Sequence, residues 1–258
     1  KTIEEVGVDV ENWAAENEME LELLRHNEQF RREFLQNLSH EFKTPVFAIQ
    51  GYVDTLLDGA MGDPETAKRF LERTAKNVHR LTHLLTDLDQ IAKLERGEIV
   101  VTKEPFVMQE LIQEVFETKL TKAEKKQISC RIKKESESPV LVFADKEKIR
   151  QVLTNLISNA IKYGKQGGEV VASVYKTDGK RILIEITDDG VGIPEAELPR
   201  VFERFYRTEA GRSMDLTGSG LGLSICKHIL EAHGQSIHVR STENIGTTFG
   251  FTLESKPD

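Results

Sequence analysis

Cysteine, proline and tryptophan are all scarce in this chain. Two cysteines, Cys130 and Cys226, stand far apart among 258 residues. They cannot build a disulfide framework or a zinc knuckle, and so thin a supply fits a reducing compartment. No apolar run approaches the ~20 residues of a membrane-spanning helix, and the N-terminus has no signal-peptide core. The chain is therefore expected to be soluble, and a start at Lys1 without Met leads us to expect a fragment of a longer protein. Basic surplus is missing too. Lys plus Arg is 35 against 43 Asp plus Glu, a net charge of −8. That argues against sequence-independent nucleic-acid binding, which needs a basic surface. With 38% hydrophobic and 30% charged residues, the chain can build a core and is too polar to be membrane-embedded. Its length suggests one or two domains at roughly 150 residues each.

What is present changes character near residue 97. Phe34, Leu38, Phe42, Val46, Ile49, Val53 and Leu56 recur at steps of three or four, as do Ala67, Leu71, Ala75, Val78, Leu81, Leu85, Leu88 and Ala92. Both stripes predict amphipathic helices, and the short Gly-containing break at 59–64 makes them an antiparallel hairpin. Asp63 is the expected N-cap of the second helix, with Pro64 at its first position. Two helices alone bury two such stripes poorly, so pairing with a second copy into a four-helix bundle is expected. Residues 1–33 are charged with sparse apolar points and read as a coiled-coil extension or as a solvated tail. Beyond Gly97, segments 99–101, 128–132, 140–143, 170–175, 182–188, 236–240 and 247–253 read as strands, and 108–126, 146–163 and 221–233 as helices. The order predicts an α+β two-layer sandwich, helices on one face of a mostly antiparallel sheet. The expected division is 1–33 extension, 34–96 helical hairpin and 97–258 α+β domain.

Several polar groups fall where packing does not require them. His40 points away from the apolar stripe of its helix. Glu41 beside it can accept an imidazole proton, leaving a nucleophilic nitrogen. Thr44 lies one turn on, on the same face, and Pro45 removes a backbone donor beside Glu41. On segment 146–163, Asn155, Asn159 and Lys162 share a face distinct from the apolar one, with Tyr163 beside them. Amide oxygens can ligate Mg²⁺ and lysine can contact phosphate, although a solvated polar face explains the pattern as well. The strand at 182–188 opens into Asp188-Asp189-Gly190-Val191-Gly192-Ile193-Pro194, either an ordinary Asp–Gly turn or a site where Asp188 accepts a hydrogen bond from a base. Thr217-Gly218-Ser219-Gly220-Leu221-Gly222-Leu223 precedes an amphipathic helix and can cradle phosphate with its backbone N–H groups. It is neither a Rossmann fingerprint nor a P-loop. His79 and His83 are spaced as a metal pair but have no carboxylate set beside them.

The string Ser39-His40-Glu41-Phe42-Lys43-Thr44-Pro45 resembles the phosphoacceptor box of two-component sensor histidine kinases. Asn155-Leu156-Ile157-Ser158-Asn159-Ala160-Ile161-Lys162-Tyr163 resembles that family's N box. Asp188 to Pro194 resembles its first Gly-rich box, Phe202-Glu203-Arg204-Phe205-Tyr206-Arg207 its F box, and Thr217 to Leu223 its second Gly-rich box. In Gly246-Thr247-Thr248-Phe249, Thr247 resembles the residue that buttresses adenine. The resemblance spans about residues 30–254. It implies a homodimer that autophosphorylates His40 from Mg-ATP, with Glu41 as base, and passes the phosphoryl group to an Asp of a response-regulator receiver domain. It implies Mg²⁺ on Asn159 and Asn155, and ATP on Lys162, Tyr163, Asp188, Gly190, Gly192, Ile193, Gly218, Gly220, Leu221, Gly222 and Thr247. Arg204 or Arg207 would reach the γ-phosphate, and residues 208–217 would form a lid. A Thr at the spacing of Thr44 implies a phospho-regulator phosphatase as well. The family implies a position on the cytoplasmic side, anchored in the cytoplasmic membrane through parts outside this chain. One departure stands out: the family usually has Asn where Asp189 sits, which leaves that residue's contacts open. The alternatives are a non-catalytic dimeric nucleotide-binding module and another ATPase of the same superfamily.

Overall fold

Helix α1 (Ile3–Leu57) runs 55 residues through both Gly7 and Pro45 in a computed structural model of the chain, which describes residues 3–96, 100–136, 138–177, 180–214 and 218–255. The chain divides into two compact units, Lys1–Leu81 and Thr82–Asp258.

In the first unit, the charged stretch before residue 34 is helical from Ile3 and continuous with the hairpin helix. Trp13, Met19 and Leu21 on it are exposed. Gly59, at φ 117°, takes a left-handed turn that a Cβ would oppose. A single 3-10 turn, Ala60–Gly62, follows. Asp63 then caps α2 (Pro64–Glu95) as expected, accepting from the Glu65 amide at 3.3 Å and from the Thr66 hydroxyl. Two contacts across the hairpin fix its antiparallel sense. The Tyr52 and Phe70 rings lie 5.6 Å apart, and Arg80 pairs with Glu41 at 2.8 Å. The apolar stripes are only partly covered in the single chain. Leu56 is buried, but Val46, Phe47, Val53, Leu71 and Val78 are all exposed, Phe47 at 64%.

In the second unit, seven strands form one sheet: β1 (Glu104–Val107), β2 (Ser129–Ile132), β3 (Leu141–Ala144), β4 (Glu169–Thr177), β5 (Arg181–Asp188), β6 (Ile237–Thr242) and β7 (Gly246–Ser255). Their order is β1-β3-β7-β5-β4-β2, with β6 also on β7. All pairings are antiparallel except β2 with β4. Helices α3 (Met108–Lys125), α4 (Lys146–Tyr163) and α6 (Gly222–Ala232) pack together. The alternation Ile182, Ile184, Ile186 buries one side of β5, and Ile149, Val152, Leu153 and Leu156 of α4 are fully buried. These are the two faces expected to meet.

The expected strand at 99–101 does not form. Val100 and Val101 belong to no regular element, Val100 is exposed, and Ile99 lies outside the described residues. The strand is β1 instead, a pairing of Glu104-Pro105-Phe106-Val107 on β3. Pro105 cannot donate to a ladder, and the sheet tolerates it because β1 is an edge.

Candidate functional site

Four separated segments of the second unit converge on one cavity of about 250 Å³. Helix α4 brings Asn155, Asn159, Lys162 and Tyr163, which line it along the polar face read from the sequence. The end of β5 and the turn after it bring Asp188, Val191, Gly192 and Ile193. Strand β7 brings Thr247 and Phe249, and the Gly-rich segment brings Gly218, Ser219, Gly220 and Gly222. Tyr206 and Arg207 close a further side.

Asp188 is 7% exposed and accepts the Gly190 amide at 2.9 Å. Burial pushes its carboxyl up to about 6, and the neighbouring Asp189 adds to that, while the Gly190 and Thr247 amides oppose it. Gly190 does not line the cavity. Its role is close approach, since a Cβ there would sit 2.3 Å from the Tyr163 carbonyl, which accepts from Val191 at 3.2 Å. Thr247 is buried and shares a hydrogen bond with Ser241 at 2.9 Å. Ser241 in turn accepts the Ile193 amide at 2.8 Å. Asp189 accepts the Glu169 amide at the start of β4, at 3.2 Å, and is absent from the lining. The residue that departs from the family pattern thus braces β4.

The two arginines part company. Arg207 donates to the carbonyls of Gly218, at 3.1 Å, and Gly211, so it spans the segment expected to be a lid. Arg204 is 3.1 Å from His228 on α6, and burial and Arg204 together lower the His228 pKa. Of the pair, Arg207 lines the cavity. The expected lid contains a short helix, α5 (Glu209–Met214), that periodicity did not reveal; residues 215–217 lie outside those described.

Leu221 is not in the lining either. Its side chain is fully buried, and its N–H donates to Ser219 Oγ at 3.3 Å. Helix α6 begins at Gly222 with no side-chain cap, so its first N–H groups meet no capping side chain. Gly220 has φ 72°, and a Cβ on it would lie 2.7 Å from the Phe205 backbone. Lys162 sits with its Nζ 4.8 Å from the Tyr163 ring centroid. Two further side chains line the cavity with no sequence signal: Val201, and Asp87 from the C-terminal part of α2.

No group of three or more His, Cys, Asp or Glu among the described residues could hold a metal ion. The donors at hand are the two amides, of which Asn155 already gives its Nδ2 to the Gly222 carbonyl at 3.2 Å. Such a set suits Mg²⁺, which takes one or two protein oxygens and completes its shell with phosphates and waters.

In the first unit, His40 is exposed on α1, as its angular position predicts. Glu41 is held by Arg80. Thr44 donates its hydroxyl to the His40 carbonyl at 3.2 Å, and Pro45 is buried. His79 and His83 form no metal cluster with their described neighbours.

Two family models match the chain. "His Kinase A (phospho-acceptor) domain" covers residues 30–97, and "Histidine kinase-, DNA gyrase B-, and HSP90-like ATPase" covers 144–257. The chain is 37% identical over 235 residues to the sensor histidine kinase WalK of Bacillus subtilis (strain 168), covering 90% of this chain and 38% of that protein. It is 35% identical over 231 residues to the sensor-like histidine kinase SenX3 of Mycolicibacterium smegmatis, covering 90% of this chain and 59% of the relative. The chain thus spans between about two fifths and three fifths of these relatives. Among solved structures, histidine kinase ThkA in complex with response regulator protein TrrA superposes with a TM-score of 0.70 at 28% identity, covering 87% of this chain and 62% of that one. With a phosphoacceptor match, an ATPase match and relatives that are sensor kinases along nearly its whole length, the chain belongs to the two-component sensor histidine kinases.

Proposed function

We propose that this chain is a kinase core that moves the γ-phosphoryl group of Mg-ATP to His40 and then to an Asp of a response regulator. The observation that carries the reading is the convergence of Asn155, Asn159, Lys162, Asp188, Gly218 and Thr247, from four segments, on one cavity. Asp188 supplies a buried acceptor for an adenine amino group, and Thr247 supports it from β7. Gly218, Gly220 and the uncapped start of α6 offer backbone N–H groups to phosphates, with Lys162 and Arg207 as cations beside them. Mg²⁺, where the amide of Asn159 assisted by Asn155 would hold it, supplies charge neutralisation on the phosphates.

The chemistry asks little covalent work of the protein beyond the nucleophile. A ring nitrogen of His40 attacks the γ-phosphorus, the N–P bond forms, the bond to the β-bridging oxygen breaks, and ADP leaves. Glu41 takes the ring proton, and Arg80 holds Glu41 for that role. Transfer onward breaks the same N–P bond as an Asp carboxylate attacks. The neighbour solved with its response regulator supports a receiver domain as acceptor. Thr44, one turn from His40, is placed to orient a water toward a phospho-Asp, which would give the opposed phosphatase activity. Exposed Val46, Phe47, Val53, Leu71 and Val78 support a homodimer through the hairpin, as a four-helix bundle. No helix among the described residues is long and apolar enough to cross a membrane. We extend the reading to the cytoplasmic core of a membrane-anchored sensor, on the strength of the sensor relatives.

The test is incubation with γ-labelled ATP. Acid-labile, base-stable label on the protein supports the kinase. Released phosphate without labelled protein points to a plain ATPase, and neither product points to a binding module.

A further inference from the structure

Asp87 brings a carboxylate to the end of the cavity assigned to phosphate. Ser219, inside the Gly-rich segment, donates its hydroxyl to Asp87 Oδ2 at 3.2 Å, and both residues belong to the second unit. The same Ser219 oxygen accepts the Leu221 amide, so Asp87 is two hydrogen bonds from the backbone that would cradle phosphates. Its placement does not depend on Ser219 alone. Leu84 and Ile91, one turn to either side on the same face of α2, are both about fully buried at 1% exposure. Gln90 accepts from Gln151 of α4 at 2.5 Å. The helix is thus packed around Asp87, and the carboxylate lines the cavity with Asn155, Lys162 and Arg207.

In its ionised form, which burial disfavours and the Ser219 hydroxyl and His83 support, Asp87 opposes what the rest of that end is built for. Lys162, Arg207 and the N–H groups at the start of α6 favour negative charge, and Asp87 subtracts from them. Its cost grows with every phosphate a ligand carries and is nil for an uncharged nucleoside. We infer that Asp87 is a selectivity residue of the nucleotide cleft, one that weakens binding in proportion to the phosphate charge and so lowers the preference for ATP over ADP. The inference rests on the nucleotide reading above. It gives the kinase a set point: with Asp87 engaged on Ser219, ATP binds less tightly than the cradle alone would hold it, and ADP is weakened in the same sense by a smaller amount.

The test measures dissociation constants for adenosine, ADP and ATP, each with excess Mg²⁺, on the intact chain and on Asp87→Asn and Asp87→Ala. The asparagine keeps size and hydrogen bonding while removing charge; the alanine removes both. Melting temperatures of all three proteins confirm folding. Both variants are expected to bind ATP on the order of tenfold more tightly, ADP with a smaller gain, and adenosine unchanged. Equal shifts for all three ligands mean that Asp87 shapes the cavity rather than its charge, and overturn the inference. No shift overturns it as well. Weaker ATP binding overturns it in the other direction, with Asp87 assisting the nucleotide. If the intact chain binds none of the ligands, the nucleotide reading itself falls and takes this inference with it.

Discussion

Arg80 reaches across the helical hairpin to Glu41, its Nη2 2.8 Å from Oε2, with the arginine side chain only 12% exposed. The contact ties the residue next to His40 to the second helix of the same hairpin. Arg80 Nε is buried with no hydrogen-bond partner among the described residues, a cost consistent with the proposed role of holding Glu41.

Glu41→Gln should therefore fold and dimerise yet slow His40 labelling on the order of a hundredfold, as expected for loss of a general base. Arg80→Leu removes the part-buried cation together with its cost. It should leave the melting temperature near that of the parent and slow labelling by less than Glu41→Gln does. Initial rates of label incorporation, with thermal melts on the same samples, check both. Equal labelling rates in parent and Glu41→Gln would remove Glu41 from the chemistry.

Thr44 tests the second activity. Its hydroxyl bonds to the His40 carbonyl, an exposed hydrogen bond worth about 1 kcal/mol. Thr44→Ala should keep most His40 labelling and lose little stability, while removal of phosphate from a phosphorylated regulator slows. A proportional loss of both activities would mean that the hydroxyl serves the helix beside Pro45 and nothing more.

Asp188 carries a pH signature with two opposite signs. Its carboxyl titrates at about 6 in the fold against an ordinary 3.8. In the proposed role the ionised form accepts the adenine amine, so ATP affinity should fall as pH drops through about 6, by roughly tenfold from pH 7 to pH 5. Stability runs the other way. A raised carboxyl favours the fold fully below its unfolded value, and that contribution is lost as pH rises through about 6. Asp188→Asn should flatten both dependences, and at neutral pH should cost about 1.5–3 kcal/mol of ATP binding. Calorimetry at several pH values decides, and an ATP affinity unchanged by the substitution would refute the base-reading role.

The hairpin predicts its own association. Its apolar stripes leave Val46 and Leu71 exposed at 45% and 58%, so light scattering at micromolar concentration should give twice the 29.2 kDa of one chain. A mass of one chain would contradict the dimer.

Much of this was legible from periodicity. The three-to-four spacing drew both hairpin helices, Asp63-Pro64 marked the start of α2, and helix α4 runs over Lys146–Tyr163 as its stripe requires. What stayed hidden has physical reasons. Strand β1 holds a proline and only one buried side chain, so neither alternation nor propensity reveals it, and the more apolar 99–101 drew the assignment instead. Arg204 and Arg207 are three residues apart in one motif, and only the turn between them sends one to His228 and the other to Gly218. The sequence leaves the contacts of Asp189 open, because adjoining Asp188 does not say which way it turns; it goes to the Glu169 amide and away from the cavity. Asp87 gave no signal, because its importance comes from Ser219, far along the chain.

The central claim is that His40 is where the γ-phosphoryl group lands. The most direct measurement compares the intact chain with His40→Gln after incubation with γ-labelled Mg-ATP, alongside ATP binding for both. Acid-labile, base-stable label is expected on the intact chain, none on His40→Gln, and equal ATP affinity in both. Undiminished label on His40→Gln would contradict it and move the phosphoacceptor to another residue, with His79 and His83 the first to examine.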